Sequence, residues 1–178
     1  MLVASLAVFA LPSFGTAQAP RGRSPALLAP VQLANRALIE GKYDEIDALT
    51  DKLDARDPNV VAVRARALIA RGHYAQAESA LRAVVGRAPA SDAALELGLL
   101  QHMLGKSDAV AILEKVSPQA ETSDDPTELA RAARALRALG RFQEAHAAFR
   151  LASTTSPNDP AIETAWGERL GAIVTEGS

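Results

Sequence analysis

The sequence repeats itself at a fixed interval. Residues 72–89, GHYAQAESALRAVVGRAP, and residues 140–157, GRFQEAHAAFRLASTTSP, share one skeleton. Each opens on Gly, places an aromatic two positions on (Tyr74, Phe142) and Ala three after that (Ala77, Ala145), and closes on Pro. The offset is 68 residues, twice 34, and it also relates Pro58 to Pro126, Arg66 to Arg134, Leu68 to Leu136 and Arg82 to Arg150. A period of this size marks supersecondary units that cannot bury an apolar face alone and so stack on copies of themselves. Composition says which kind of unit. The chain is 48% hydrophobic but only 4% aromatic, so its core is built from Ala, Leu, Val and Ile. Such a core suits close-packed helices better than a sandwich or barrel.

Each unit decodes as two antiparallel helices. Asp57 is a helix cap and Pro58 the first helical residue, both favourable positions. Val61, Ala65, Leu68 and Ile69 recur at helical spacing until Gly72 supplies the left-handed residue that ends the helix. Tyr74 begins the second helix and is expected to pack back over the turn. Ala77, Leu81, Val84 and Val85 continue the apolar stripe to Pro89. Ala77 and Ala145 stand where the two helices should approach most closely, and a larger side chain there would push them apart.

This pattern resembles the tetratricopeptide repeat. The residues that carry the resemblance are Gly41/Tyr43/Pro58 (with Ile46 in place of Ala), Gly72/Tyr74/Ala77/Pro89 and Gly140/Phe142/Ala145/Pro157. Leu97-Gly98 followed by Gly105 marks another copy, which departs afterwards: Gly105 to Pro118 is only 13 residues, the aromatic is missing, and ETSDDP reads as a loop. The second helix of that copy should be about a turn short. A fifth copy begins at DPAIETAWGERL, where Ile162, Ala165, Trp166, Leu170 and Ile173 form an apolar stripe. It reads equally as a capping helix or as the front of a longer array. The resemblance implies an all-α fold, a right-handed solenoid of antiparallel helix hairpins. The expected array covers 26–173, about four hairpins plus a final helix, with 174–178 as a tail.

The opening stretch, MLVASLAVFALPSFGTAQAP, carries no charged side chain and has an apolar run of 11 residues ended by Pro12. A membrane span needs about 20 residues, whereas a secretory signal core needs far fewer. Residues 1–19 are therefore expected to be an export signal and 20–25 a linker, giving a periplasmic or secreted protein without a stable membrane anchor after cleavage. Two cleavage points compete: after Ala19, which leaves Pro20 beyond the cut, and after Ala17, which frees Gln18. No basic residue precedes the apolar run.

Chemistry is scarce in the sequence. With no Cys there is no disulfide framework, thiol catalysis or thiolate metal site. A net charge of −2 speaks against a nucleic-acid partner, which requires a basic surface. No nucleophile elbow, phosphate loop or zinc helix motif is present. His73, His102 and His146 lie 29 and 44 residues apart and suggest no metal pair. Asp124-Asp125 reads as a loop and cap, and Glu96 and Glu114 as isolated surface charges. No enzyme activity and no cofactor are expected.

What remains is surface. In tetratricopeptide proteins the first helices of the hairpins line a concave groove that receives peptides or partner helices. Carried over by position, the groove would present Asn35, Arg66, Leu99, His102, Arg131, Arg134 and Arg137. The last three arginines fall on one broad helix face, and solvent-facing arginines there could each grip a carboxylate with two parallel hydrogen bonds. The resemblance thus implies a non-enzymatic scaffold of the cell envelope that binds a protein or peptide, with homo-oligomerisation left open. The alternative is the front repeat module of a larger exported enzyme, such as an envelope peptidase.

Overall fold

The computed structural model describes residues 25–157 together with 159 and 162, with side chains from residue 30 onward. Among the described residues the chain forms helices only. They are α1 (Pro25–Ile39), α2 (Tyr43–Thr50), α3 (Pro58–Ala70), α4 (Tyr74–Val85), α5 (Asp92–Met103), α6 (Asp108–Val116), α7 (Gln119–Thr122), α8 (Pro126–Ala138) and α9 (Phe142–Thr155). The expected export signal, nearly all of the linker, the body of the final helix and the tail lie outside the described residues. Four antiparallel hairpins result: α1–α2, α3–α4, α5–α6 and α8–α9.

Every hairpin turns in the same way. Gly41, Gly72, Gly105 and Gly140 have φ of 73°, 79°, 66° and 76°, the left-handed region that a Cβ disfavours. In each turn the residue after the glycine donates its N–H to a carbonyl five residues back: Lys42 to Ala37, His73 to Leu68, Lys106 to Gln101 and Arg141 to Leu136, at 2.8–2.9 Å. These bonds satisfy carbonyls that the ending helix leaves open. Helix starts are fixed as the sequence predicts. Asp57 accepts from the N–H of Asn59 at 2.7 Å and Asp125 from that of Thr127 at 2.7 Å, each just ahead of a proline at the first helical position.

The hairpins stack through their first helices, α1 on α3, α3 on α5 and α5 on α8. The second helices α2, α4 and α6 pack against their own partner and the first helix of the next hairpin. A first helix is therefore covered on several sides. In α3 Val60, Val61, Ala62, Val63, Ala65 and Ala67 are all buried, and in α5 every residue from Ala93 to Gly98 is. The core is a chain of junctions rather than one centre. Ala34, Ala37, Ile46, Val63 and Ala67 join the first two hairpins, and Ala65, Ala77, Leu81, Ala93 and Leu97 the next two. Ala94, Leu95, Leu113, Val116 and Ala135 continue it, and Ile162 packs with Leu129 and Phe149 on the fourth hairpin.

The junction alanines behave as expected: Ala77 and Ala145 are 0% and 4% exposed, and Ile46 fills the same place in the first hairpin at 0%. Small residues also bring α5 and α6 together, because a Cβ on Gly98 would lie 2.7 Å from Leu113 Cδ2. Two details depart from the sequence reading. Phe142 is 63% exposed and does not close over its turn, whereas the equivalent Tyr74, at 40%, is more than half covered. And ETSDDP is not all loop. The helix α6 is nine residues long against twelve in α4, a turn short as expected, but Pro118 then starts the separate one-turn helix α7, which includes Glu121 and Thr122. Proline cannot continue the α6 hydrogen-bond ladder, yet its fixed φ suits a fresh helical turn. The loop is left with Ser123, Asp124 and Asp125.

Candidate partner groove

Counting back from each turn glycine puts the expected groove residues in register. Six positions before it stand Asn35, Arg66, Leu99 and Arg134; three before, His102 and Arg137; nine before, Glu96 and Arg131. At about 100° per residue these positions fall within one face of each first helix. The row of first helices presents that face as a continuous wall.

A polar spine runs along the wall. The guanidinium of Arg66 donates from Nη1 to Asn35 Oδ1 at 3.0 Å and from Nε to Glu96 Oε1 at 2.8 Å. From the other side Arg134 Nη1 donates to the same Glu96 oxygen at 3.0 Å. One carboxylate thus ties the second, third and fourth hairpins, and Asn35 adds the first. Beside it Arg131 Nε donates to Asp92 Oδ1 at 2.6 Å, and its Nη1 to the Ala90 carbonyl and to Gln119 Oε1 at 3.0 and 3.2 Å. Burial pushes the Glu96 carboxyl up, but the charges of Arg66 and Arg134 outweigh it and hold its pKa below the ordinary value. Asp92 is pushed up by burial in the same way and is held low chiefly by Arg131.

This arrangement corrects two expectations. Glu96 is no isolated surface charge: its side chain is 6% exposed and anchors two arginines. Nor are the wall arginines solvent-facing. Arg131 is buried, and the side chains of Arg66 and Arg134 keep only 23% and 18% exposure. A lone buried carboxylate is unstable, so Glu96 draws in guanidiniums that would otherwise extend into water. The signal was present in the sequence: aligned on the turn glycines, Glu96 occupies the place of Arg131 in the next hairpin, an acid beside two rows of bases.

The remaining residues form the outer surface of the same wall. Asn35 and Arg137 are half-buried, Leu99 is half-buried against the Leu95 cluster, and His102 is exposed. Ile39 and Met103, each two positions before a turn glycine, add apolar side chains that are 63% and 56% exposed. Four arginines against two carboxylates give the wall a positive balance. No group of three or more His, Asp or Glu that could hold a metal ion occurs among the described residues. No described helix is long and apolar enough to cross a membrane.

Comparison with known proteins agrees with the hairpin geometry. Residues 63–120 match the tetratricopeptide repeat family. Among solved structures, the chain is similar to TTC0263, a thermophilic tetratricopeptide protein of Thermus thermophilus, with 24% identity, 80% of each chain covered and a TM-score of 0.49. It is also similar to MamA in forms designated MSR-1 and AMB-1, at 26% identity and a TM-score of 0.42 in both. These matches cover 83% and 82% of this chain and 88% and 83% of theirs. No curated protein sequence matches. Residues 63–120 thus match tetratricopeptide repeats, and the hairpins on either side of them end their first helices on the same left-handed glycines.

Proposed function

We propose that this protein is an exported scaffold without chemistry of its own, which holds a protein or peptide partner against the wall of first helices. The observation that carries the reading is the Asn35–Arg66–Glu96–Arg134 spine. It fixes the wall before any partner arrives, so little ordering entropy is lost on binding. Above the spine the exposed His102, Met103 and Ile39 offer mixed polar and apolar contact, the character of a recognition surface. With its arginines engaged internally, the wall is suited to gripping a partner by shape and apolar contact, aided by a modest positive field, rather than by free guanidiniums.

A photo-crosslinking residue placed at His102, and in a control at Gln143, tests the binding mode in the native host. Gln143 is exposed on α9, away from the wall. Crosslinking of a defined partner from position 102 and not from 143 is the expected result, and equal labelling from both refutes the wall. Export is tested separately by intact mass and fractionation. The mature chain should begin near Gln18 or Pro20 and lie outside the cytoplasm, and a full-length cytosolic product refutes that part alone.

A further inference from the structure

Across the repeat from the wall, a second feature stands apart. Between α3, α4 and the loop that leads into α3 opens a cleft of about 280 Å³. Val61, Ala80, Ala83 and Val84 give it an apolar lining, and Arg56, Arg64 and Arg87 line it together. Arg64 and Arg66 are two residues apart on α3, hence about 200° apart around the helix, so this cleft and the partner wall lie on different sides.

The three arginines differ from most other arginines among the described residues. Arg36, Arg66, Arg71, Arg82, Arg131 and Arg141 each lie within ion-pair distance of a carboxylate. Arg56, Arg64 and Arg87 have no carboxylate partner among the described residues. The acids nearest in sequence are otherwise engaged, Asp54 accepting from the backbone N–H of Arg56 and Asp57 from that of Asn59. Arg64 is also oriented in advance. Its Nε donates to Thr50 Oγ1 at 2.7 Å, and buried Thr50 donates in turn to the Ile46 carbonyl at 2.7 Å. That leaves both terminal nitrogens of a fixed guanidinium for a ligand, the pair a carboxylate engages bidentately.

The geometry points to a second binding site here, for a partner polypeptide segment that carries carboxylates beside an apolar side chain. The charge selects the acid. The apolar lining selects a peptide over a bare anion or a nucleic-acid backbone, neither of which would cover the exposed Ala80 and Ala83. The reading is independent of what the opposite wall binds.

The test uses the full chain and a short labelled peptide of alternating Glu and Leu, followed by fluorescence anisotropy at low salt. The comparison peptide has Gln for every Glu. Wild type should bind the Gln peptide roughly tenfold more weakly. The double variant Arg56→Gln/Arg87→Gln should lose a similar factor for the Glu peptide, while its thermal melt stays unchanged because both side chains are exposed. The wall variant His102→Ala/Met103→Ala should bind the Glu peptide as wild type does. Absence of binding, equal binding of the two peptides, or unchanged affinity in the double variant overturns the site. Loss in the wall variant alone moves the acidic segment to the wall and overturns it as well. Displacement by inorganic phosphate as readily as by unlabelled peptide makes it a simple anion site, which also refutes the peptide assignment.

Discussion

Remove the Glu96 carboxylate, and Arg66 and Arg134, which meet it at 2.8 and 3.0 Å, lose the buried negative charge that lies between them. Breaking a buried ion pair from one side costs about 3 kcal/mol, because desolvated charge remains uncompensated. Glu96→Gln should therefore lower the urea-unfolding free energy by that order, and Arg134→Glu, which sets a second carboxylate beside Glu96, should also destabilise. A purely surface arginine would make the latter change nearly silent. The sign of the acid response follows from the pKa. Glu96 titrates lower in the folded chain than its ordinary 4.5, so its stabilisation is full above that value and is lost as pH falls through the lower folded value. Wild type should lose stability on acidification below about pH 4.5, and Glu96→Gln should show a shallower loss over the same range. Identical acid slopes would show that Glu96 is not the group responsible. Two glycines give a contrast at the same scale. Gly98→Ala drives a Cβ to 2.7 and 2.8 Å from two atoms of fully buried Leu113, and overpacking of about 1–3 kcal/mol outweighs the helix propensity gained. Gly86 has an ordinary helical φ of −59° and nothing within 4 Å of a Cβ, so Gly86→Ala should stabilise by about 0.4–1 kcal/mol. Paired thermal melts should move in opposite directions.

Helices are where the sequence speaks most clearly, since their ends are written in residues with one physical use. Pro58, Pro126, Asp57 and Asp125 mark starts, and Gly72 and Gly140 mark stops, because few other residues serve as well there. The short helix α7 was not legible, as Pro118 signals equally the end of one helix and the start of another. Register within a hairpin has its own test. Ala145 is 4% exposed between α8 and α9, whereas Gln143 is exposed on the same helix. Ala145→Leu should cost about 1–3 kcal/mol in urea melts. Gln143→Leu, an exchange of similar extent at the surface, should stay within about 0.5 kcal/mol. Equal costs would mean that the helix faces are misassigned.

At the scale of the whole molecule, the stacking was readable because a period of 68 residues has few structural meanings, and Ala77 and Ala145 hold equivalent buried places. The wall was half readable. Its residues come together as the repeat register predicts, but which charges they present depends on Glu96 and Asp92, reached only through neighbouring hairpins 30 or more residues away. Pattern along one helix cannot reveal such pairing; alignment of copies can. The same architecture dictates how stability is distributed. In a stacked array each hairpin is held only by its neighbours, so interior units are stabilised from two sides and end units from one. Among the described residues α5 packs against four helices, α3, α4, α6 and α8, whereas α2 packs chiefly against α1 and α3. Local opening should follow that order, since amides in the most enclosed helices exchange last. Hydrogen exchange read by mass spectrometry should therefore find slowest exchange in peptides from α5 and α3, and faster exchange in α2. The Glu96→Gln variant should speed exchange in α3, α5 and α8 together while leaving α2 nearly unchanged, because the lost carboxylate joins those three helices. Uniform exchange along the wild-type chain would instead indicate a single cooperative unit, and the nearest-neighbour description would then fail.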